Sequence, residues 1–229
     1  MTDSYLSPLW ISSKTVLTTT VITFFIGIFA ARWMARASFK GKSVIDGLFI
    51  LPLVLPPTVV GFGLLLLFGK NGPLGEFLSW FGTTIVFSWP ATVITAVIMT
   101  FPLMYMSARA GFEQVDINVE NAARTLGANE WRVFWTVTMP MAWPAVVAAT
   151  ILTFARALGE FGATLILAGN IPGKTATIPV AIYFNIMGGH NDRALVLVGI
   201  VLVISFASLA ALAYWKRKTP KTTGIGLTE

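Results

Sequence analysis

Residues 194–215 read ALVLVGIVLVISFASLAALAYW, an apolar run of 22 residues without a single charge. About 20 mostly apolar residues are enough for a helix to cross the hydrocarbon core of a bilayer. The run therefore predicts a membrane-spanning helix, and it makes the lipid bilayer the first expected partner of the chain.

Four further apolar runs occupy about residues 15–34, 48–69, 84–107 and 141–168. Of all 229 residues, 55% are hydrophobic and 11% are charged, whereas an ordinary soluble domain is roughly 25% charged. This composition excludes a soluble domain and a disordered chain, and the absence of cysteine excludes a disulfide scaffold. The sequence predicts an all-α integral membrane protein with about five transmembrane helices in one domain, residues 1–229, kinked by interior prolines.

A sixth apolar stretch, residues 175–189, is too short to cross the membrane. It carries Pro179 near its start and two glycines, Gly188 and Gly189, at its end. We therefore expect a short re-entrant or interfacial helix there.

The basic residues are divided unevenly between the two sides of these spans. Eleven lie on one side: Arg32, Arg36, Lys40, Lys42, Arg109, Arg124, Arg132, Lys216, Arg217, Lys218 and Lys221. The other side holds four: Lys14, Lys70, Lys174 and Arg193. Since cytoplasmic loops accumulate Lys and Arg, the split predicts an outside N-terminus, a cytoplasmic C-terminus and a cytoplasmic loop at 109–139. No basic stripe exists, so nucleic acid is not an expected partner.

The loop at 109–139 contains residues that typically begin and end a short helix. Asn118 can cap its N-terminus, Glu120 lies in its first turn, and Gly127 stands where a left-handed residue ends a helix. This predicts a helix of about eight residues, 119–126. Because so short a helix is marginal in water, it must pack against something, either the membrane domain of the same chain or a partner.

The same loop resembles the EAA loop of the permeases of ABC importers. The family pattern is Glu-Ala-Ala, three residues, Gly, nine residues and Ile-x-Leu-Pro, and the chain has Asn121-Ala122-Ala123, Gly127 and Val137-Thr138-Met139-Pro140 at that spacing. The resemblance implies that the loop helix docks on a separate cytoplasmic ATPase subunit and transmits its motion. The implied coupling residues are Glu120, Asn121, Ala122, Ala123, Arg124, Gly127 and Pro140. Asn121 departs from the family Glu, and Glu120 lies about 100° around the helix from it.

Three further stretches are similar to the oxyanion branch of that family: residues 51–61, 154–164 and 170–179. The resemblance covers residues 14–215 and implies a subunit, in a bacterial or archaeal cell membrane, that translocates molybdate, and also tungstate, by alternating access. A sulfate/thiosulfate permease is the alternative. The implied partners are a second copy of the chain, cytoplasmic ABC ATPase subunits and an extracytoplasmic oxyanion-binding protein.

Arg156 and Glu160 are the charged residues of the fourth apolar run. They are four residues apart, so a continuous helix would place them on one face, and burial requires them to pair. Either they line the translocation pathway or they join this helix to the second or third span. The sequence contains no phosphate loop, nucleophile elbow or metal-ligand spacing, so no catalytic residue, cofactor or metal site is expected.

Overall fold

The computed structural model describes residues 3–218, and within them the side chains of residues 5–215. Lys221, one of the basic residues used above to orient the chain, lies outside the described residues. The described part is helical: α1 Asp3–Arg36, α2 Lys42–Val54, α3 Pro57–Phe68, α4 Pro73–Ser79, α5 Trp89–Glu113, α6 Ile117–Thr125, α7 Glu130–Val133, a π-helical segment Phe134–Thr138, α8 Met139–Leu158, α9 Gly162–Ala168, α10 Ile178–Met187 and α11 Asn191–Lys218.

Four helical stretches within residues 3–218 are long and apolar enough to span a membrane. They are 5–36, 89–113, 130–158 and 191–215, and the bent pair α2 and α3 makes a fifth candidate span. The expected all-α membrane fold with about five spans is confirmed.

Helices α1, α5 and α8 form the centre of the molecule. Their contact buries Met34, Tyr105 and Phe112 completely. The helices approach closely because small residues lie between them: a Cβ atom on Gly27 would come within 2.6 Å of Met104 Cγ. Hydroxyl groups also join α1 to α5, with Thr15 Oγ1 lying 3.0 Å from Thr92 Oγ1.

The predicted second span, 48–69, is two helices that meet at an angle of 112°. Leu55 and Pro56 have extended backbone angles, with ψ values of 145° and 136°. A proline disfavours the helical conformation of the residue before it, so Pro56 and Pro57 together end α2. Pro52, by contrast, stays inside α2. The prolines therefore break this span rather than kink it.

The third and fourth predicted spans also have different bounds in the structure. Helix α5 begins at Trp89 and continues to Glu113, beyond the predicted 84–107. The predicted span 141–168 is divided, because α8 ends at Leu158 and α9 begins at Gly162. At the other end, helical structure is continuous from Glu130. The expected coupling loop of 109–139 thus shortens to residues 114–129.

The sixth apolar stretch forms α10, a helix of ten residues that is shorter than a span. It packs against α11 through Ile178, Ala181 and Leu197. Its length agrees with the expected short helix.

Candidate functional site

Helix α6 is the loop helix expected from the sequence, and its ends are well defined. The N-cap is Asp116, whose side chain accepts a hydrogen bond from the backbone N–H of Asn118 at 2.8 Å. The expectation that Asn118 provides the cap is therefore wrong, because the carboxylate two residues earlier reaches that N–H. Gly127 has φ +85°, the left-handed conformation expected after the helix.

Glu120 is the only residue of α6 that is buried, and its side chain is fully buried. Its Oε1 atom accepts hydrogen bonds from Arg32 Nη1 at 3.1 Å and from Thr138 Oγ1 at 2.7 Å, and it forms an ion pair with Arg36 Nη2 at 3.0 Å. Its Oε2 atom lies 3.3 Å from Arg124 Nη2. The Glu120 carboxylate thus contacts α1, the π-helical segment and its own helix.

The surroundings of Glu120 keep its carboxylate ionised. Burial alone would raise its pKa, but the hydrogen bond from Thr138 and the guanidinium groups of Arg36 and Arg32 outweigh burial, and the pKa lies below its ordinary value. The negative charge of Glu120 is therefore balanced inside the protein by the positive charges of Arg32 and Arg36.

The other expected coupling residues of α6 are exposed or half-buried. Asn121 is exposed, and its Oδ1 accepts a hydrogen bond from Arg124 Nη1 at 2.7 Å. Arg124 also pairs with Glu130 at 2.6 Å, and this ion pair raises the pKa of Arg124. The Glu120 carboxylate is therefore buried, whereas the side chain at position 121, where the family pattern has a carboxylate, is exposed.

Apolar side chains also contribute to the exposed surface of α6 and of the residue after it. Leu126 is 88% exposed, and Ile117 and Val119 are each more than 40% exposed. Ala122 is exposed as well. A short helix that shows this much apolar surface presents a face suited to a partner.

Pro140 lies at the start of α8, directly after the π-helical segment. A proline lacks an N–H and its ring clashes with the carbonyl four residues before it. The wider π-helical turn at Phe134–Thr138 allows the helix to continue through that position. The segment also brings the Thr138 hydroxyl to Glu120.

Arg156 and Glu160 form the expected ion pair, with Arg156 Nη1 2.9 Å from Glu160 Oε2. They do not share a helix face, because α8 ends at Leu158. The Glu160 side chain is 3% exposed, and its Oε1 accepts a hydrogen bond from the Ala163 N–H at 3.2 Å. The pair therefore joins the end of α8 to the start of α9, and no ion pair from Arg156 or Glu160 to the second or third span is found.

The two helix breaks of the chain lie against each other. A Cβ atom on Gly162 would come within 2.9 Å of Pro57 Cβ, and one on Gly61 within 2.8 Å of Ala163 Cα. Beside this contact is an open concavity of about 530 Å³, lined by Pro57, Thr58 and the Arg156–Glu160 pair among others. Arg156 keeps about a third of its side chain exposed.

The sequence matches the family model of binding-protein-dependent transport system inner membrane components over residues 23–218. The chain belongs to this family. This chain, called the permease below, is thus a multi-pass membrane subunit of a transport system rather than an enzyme.

Two relatives are similar to the permease in sequence, and one solved structure is similar to it in fold. It is 50% identical over 171 residues to the molybdenum transport system permease protein ModB of Escherichia coli K12, covering 73% of this chain and 75% of that one. It is 39% identical over 154 residues to the sulfate transport system permease protein CysW of Synechococcus elongatus, covering 67% and 54%. A chain of a bacterial alginate ABC transporter, solved in complex with alginate pentasaccharide-bound periplasmic protein, has the same fold, with a TM-score of 0.72, 17% identity and coverage of 98% and 80%.

Two polar groups of the permease were missed by the sequence reasoning. Arg32 and Arg36 were interpreted only as topology signals, although they hold Glu120. Asp46 of α2 contacts both Tyr105 at 2.7 Å and Arg109 at 2.6 Å on α5. The position of Asp46 just before the apolar run 48–69 could have indicated that this carboxylate needs a partner.

Proposed function

We propose that the permease is the membrane-spanning subunit of an ATP-driven importer that carries molybdate, and also tungstate, into the cytoplasm by alternating access. The observation that carries this proposal is the 50% identity to a molybdenum transport permease. The sulfate permease is both less identical and matched over a smaller part of its length. Molybdate and tungstate are tetrahedral dianions of nearly equal size, so one pathway serves both.

The coupling element of this importer is helix α6 with the residues around it. Its exposed apolar side chains, Leu126 above all, form the surface that docks on a cytoplasmic ATPase subunit. Asn121, Ala122 and Ala123 lie on or beside that face, and Gly127 ends it. Burial of apolar surface is the main favourable term in such an association.

The complete importer contains two copies of the permease. About five spans are too few to enclose a route for a hydrated oxyanion, and a two-fold dimer provides that route along its axis. An extracytoplasmic oxyanion-binding protein delivers the substrate, as the periplasmic protein bound to the alginate transporter suggests. Each permease copy then presents one α6 helix to one ATPase subunit.

Arg156 and Glu160 line the pathway where the two helix breaks meet. Arg156 supplies N–H donors to the concavity, and Glu160 neutralises its charge. An unpaired buried guanidinium would hold a dianion too tightly for rapid release, whereas a paired one attracts it only weakly. The pair therefore suits transit rather than storage of the substrate.

The orientation follows from the unequal distribution of basic residues. Lys70 and Lys174 line one common concavity, whereas Arg32, Arg36 and Arg124 meet around Glu120. We place the second group in the cytoplasm, with the N-terminus outside. Because the chain lacks cysteine, single cysteines at Lys174 and Asn129 can be labelled in intact cells with an impermeant reagent. Label at 174 alone is the expected result, and label at 129 alone would invert the orientation.

Deletion of the gene in its host tests the substrate. A molybdenum-dependent activity such as nitrate reduction should be lost at trace molybdate, and millimolar molybdate should restore it through nonspecific entry. If the deletion strain instead requires cysteine for growth on sulfate while molybdenum enzymes stay active, the permease is a sulfate permease.

A further inference from the structure

We infer that Glu120, Arg32, Arg36 and Thr138 form a clamp that makes α6, the end of α1 and the start of α8 move as one unit. Glu120 is the positioning residue of this clamp. The inference rests on the proposed function, because it says how movement of α6 reaches the membrane helices.

The clamp is the attachment of α6 to the two spanning helices, while the Arg124–Glu130 ion pair joins α6 to α7. Of the nine residues of α6, Glu120 alone is buried, while Ile117 and Val119 on neighbouring turns are exposed. Little apolar surface therefore holds the helix in place, and a helix of this length does not keep its position unaided. The polar contacts of the Glu120 carboxylate hold the helix against α1 and the start of α8.

Arg36 ties the clamp to the chain just before α6 as well. Its Nη2 atom donates a hydrogen bond to the backbone carbonyl of Val115 at 3.0 Å, in addition to its contact with Glu120. The guanidinium group thus holds both the entry to α6 and its only buried residue. Any displacement of α6 pulls directly on the last turn of α1.

Thr138 connects the clamp to the third element. Its hydroxyl donates to Glu120 at the end of the π-helical segment, immediately before α8 begins at Met139. π-helical turns inside longer helices occur mostly at functional positions. The same carboxylate oxygen accepts from α1 and from the start of α8, so the two spanning helices respond to α6 together.

The test uses the reconstituted importer, with its ATPase and binding protein, and measures molybdate transported per ATP hydrolysed. Glu120→Gln keeps the size of the side chain but removes the charge that holds both arginines. The amount of molybdate transported per ATP should fall by about tenfold, which lies within the range of about 5- to 150-fold that typical coupling free energies produce. Glu113→Gln is the matched control, since Glu113 forms an exposed ion pair with Arg109 outside the clamp, and its ratio should equal that of the wild type.

A purely structural role predicts a different result. It would lower the amount of folded permease or the affinity for the ATPase, with transport and hydrolysis falling in proportion. An unchanged ratio in Glu120→Gln therefore overturns the inference. If that variant does not fold, Arg36→Lys serves instead, because lysine keeps the charge but cannot reach Glu120 and Val115 together in the same geometry. A wild-type ratio in folded Arg36→Lys also overturns it.

Amide hydrogen exchange separates this inference from the proposed function. In the permease alone, residues 117–125 should exchange faster in Glu120→Gln than in the wild type, whatever the substrate is. If the wild-type importer moves no molybdate but the exchange result holds, the substrate proposal fails and the clamp stands. Equal exchange in the two proteins overturns the clamp.

Discussion

Replacement of Gly127 by valine should weaken the docking of the ATPase without disturbing the membrane domain. Gly127 has φ +85°, which a β-branched residue adopts only with strain. A Cβ atom there would meet nothing within 4 Å, so the cost is confined to the backbone. Such strain costs about 1–3 kcal/mol, which corresponds to about a 5- to 150-fold change in an equilibrium constant.

The strain at Gly127 acts on hydrogen bonds that end α6. The N–H groups of Gly127 and Ala128 donate to the carbonyls of Arg124 and Ala123 at 2.9 and 3.1 Å. Relief of the strain by unwinding would open this turn and move Leu126, which directly follows α6 and is 88% exposed. The binding face would then be lost part of the time.

The assay is the affinity of the ATPase for the permease in lipid nanodiscs, together with transport. Both transport and transport-stimulated hydrolysis should fall with the affinity, while thermal stability of the membrane domain is retained. Gly127→Asn should have a smaller effect, because asparagine tolerates the left-handed conformation. Gly82→Val is the matched control, since Gly82 has φ +66° and equal free space but lies outside α6. If Gly127→Val binds the ATPase as tightly as the wild type and transports normally, α6 is not the docking element.

Three other predictions concern single sites. Arg156→Ala should lower the amount and thermal stability of folded permease more than Arg156→Ala combined with Glu160→Ala, because the single change leaves a buried carboxylate unpaired at a cost of about 3–5 kcal/mol. Equal loss of folded permease in the two variants would show that Glu160 does not need Arg156 to compensate its charge. Gly162→Leu should destabilise the permease by about 1–3 kcal/mol through its contact with Pro57, whereas Gly63→Leu, in open space, should not. The pKa of Glu120 is lowered in the folded state, so its charge stabilises the folded protein above the ordinary value of 4.5, and this stability is lost as the pH falls through the lowered pKa. Exchange protection of α6 should therefore be constant from about pH 8 to 5 and should decrease once the pH falls below 4.5. Protection that does not decrease below that value would show that the charge of Glu120 is not needed.

The spans could be predicted from the sequence because each depends on local hydropathy. The long helices α1, α5 and α11 contain their predicted runs almost entirely, since an apolar run of sufficient length is stable as a helix across the membrane. The breaks at Pro56 and Gly159 could not be located in the same way. Both sides of each break are apolar, and the proline signal is compatible with either a kink or a full bend of the helix.

The direction of Glu120 could not be predicted for a different reason. A carboxylate in the first turn of a short helix is usually exposed, where it interacts with the helix dipole. Its burial depends on Arg32 and Arg36, which are more than 80 residues away in the chain and meet it only in the folded protein. The spacing of residues in the loop predicted the helix, but ion pairs with residues distant in the sequence decide which face of the helix is exposed.

Among the residues whose side chains are described, the two buried carboxylates, Glu120 and Glu160, lie at opposite ends of one helix, α8. Glu120 is bonded to Thr138 just before α8, and Glu160 follows its last residue, Leu158. The 20 residues between them form a rod of about 30 Å, the thickness of the hydrocarbon core. In the proposed coupling, a displacement at the α6 end would be carried along α8 to the break, where Gly159 ends the helix and the Arg156–Glu160 pair links it to α9. Variants at Glu120 should thus change how often the pathway opens per ATP, and variants at Arg156 should change what passes when it opens.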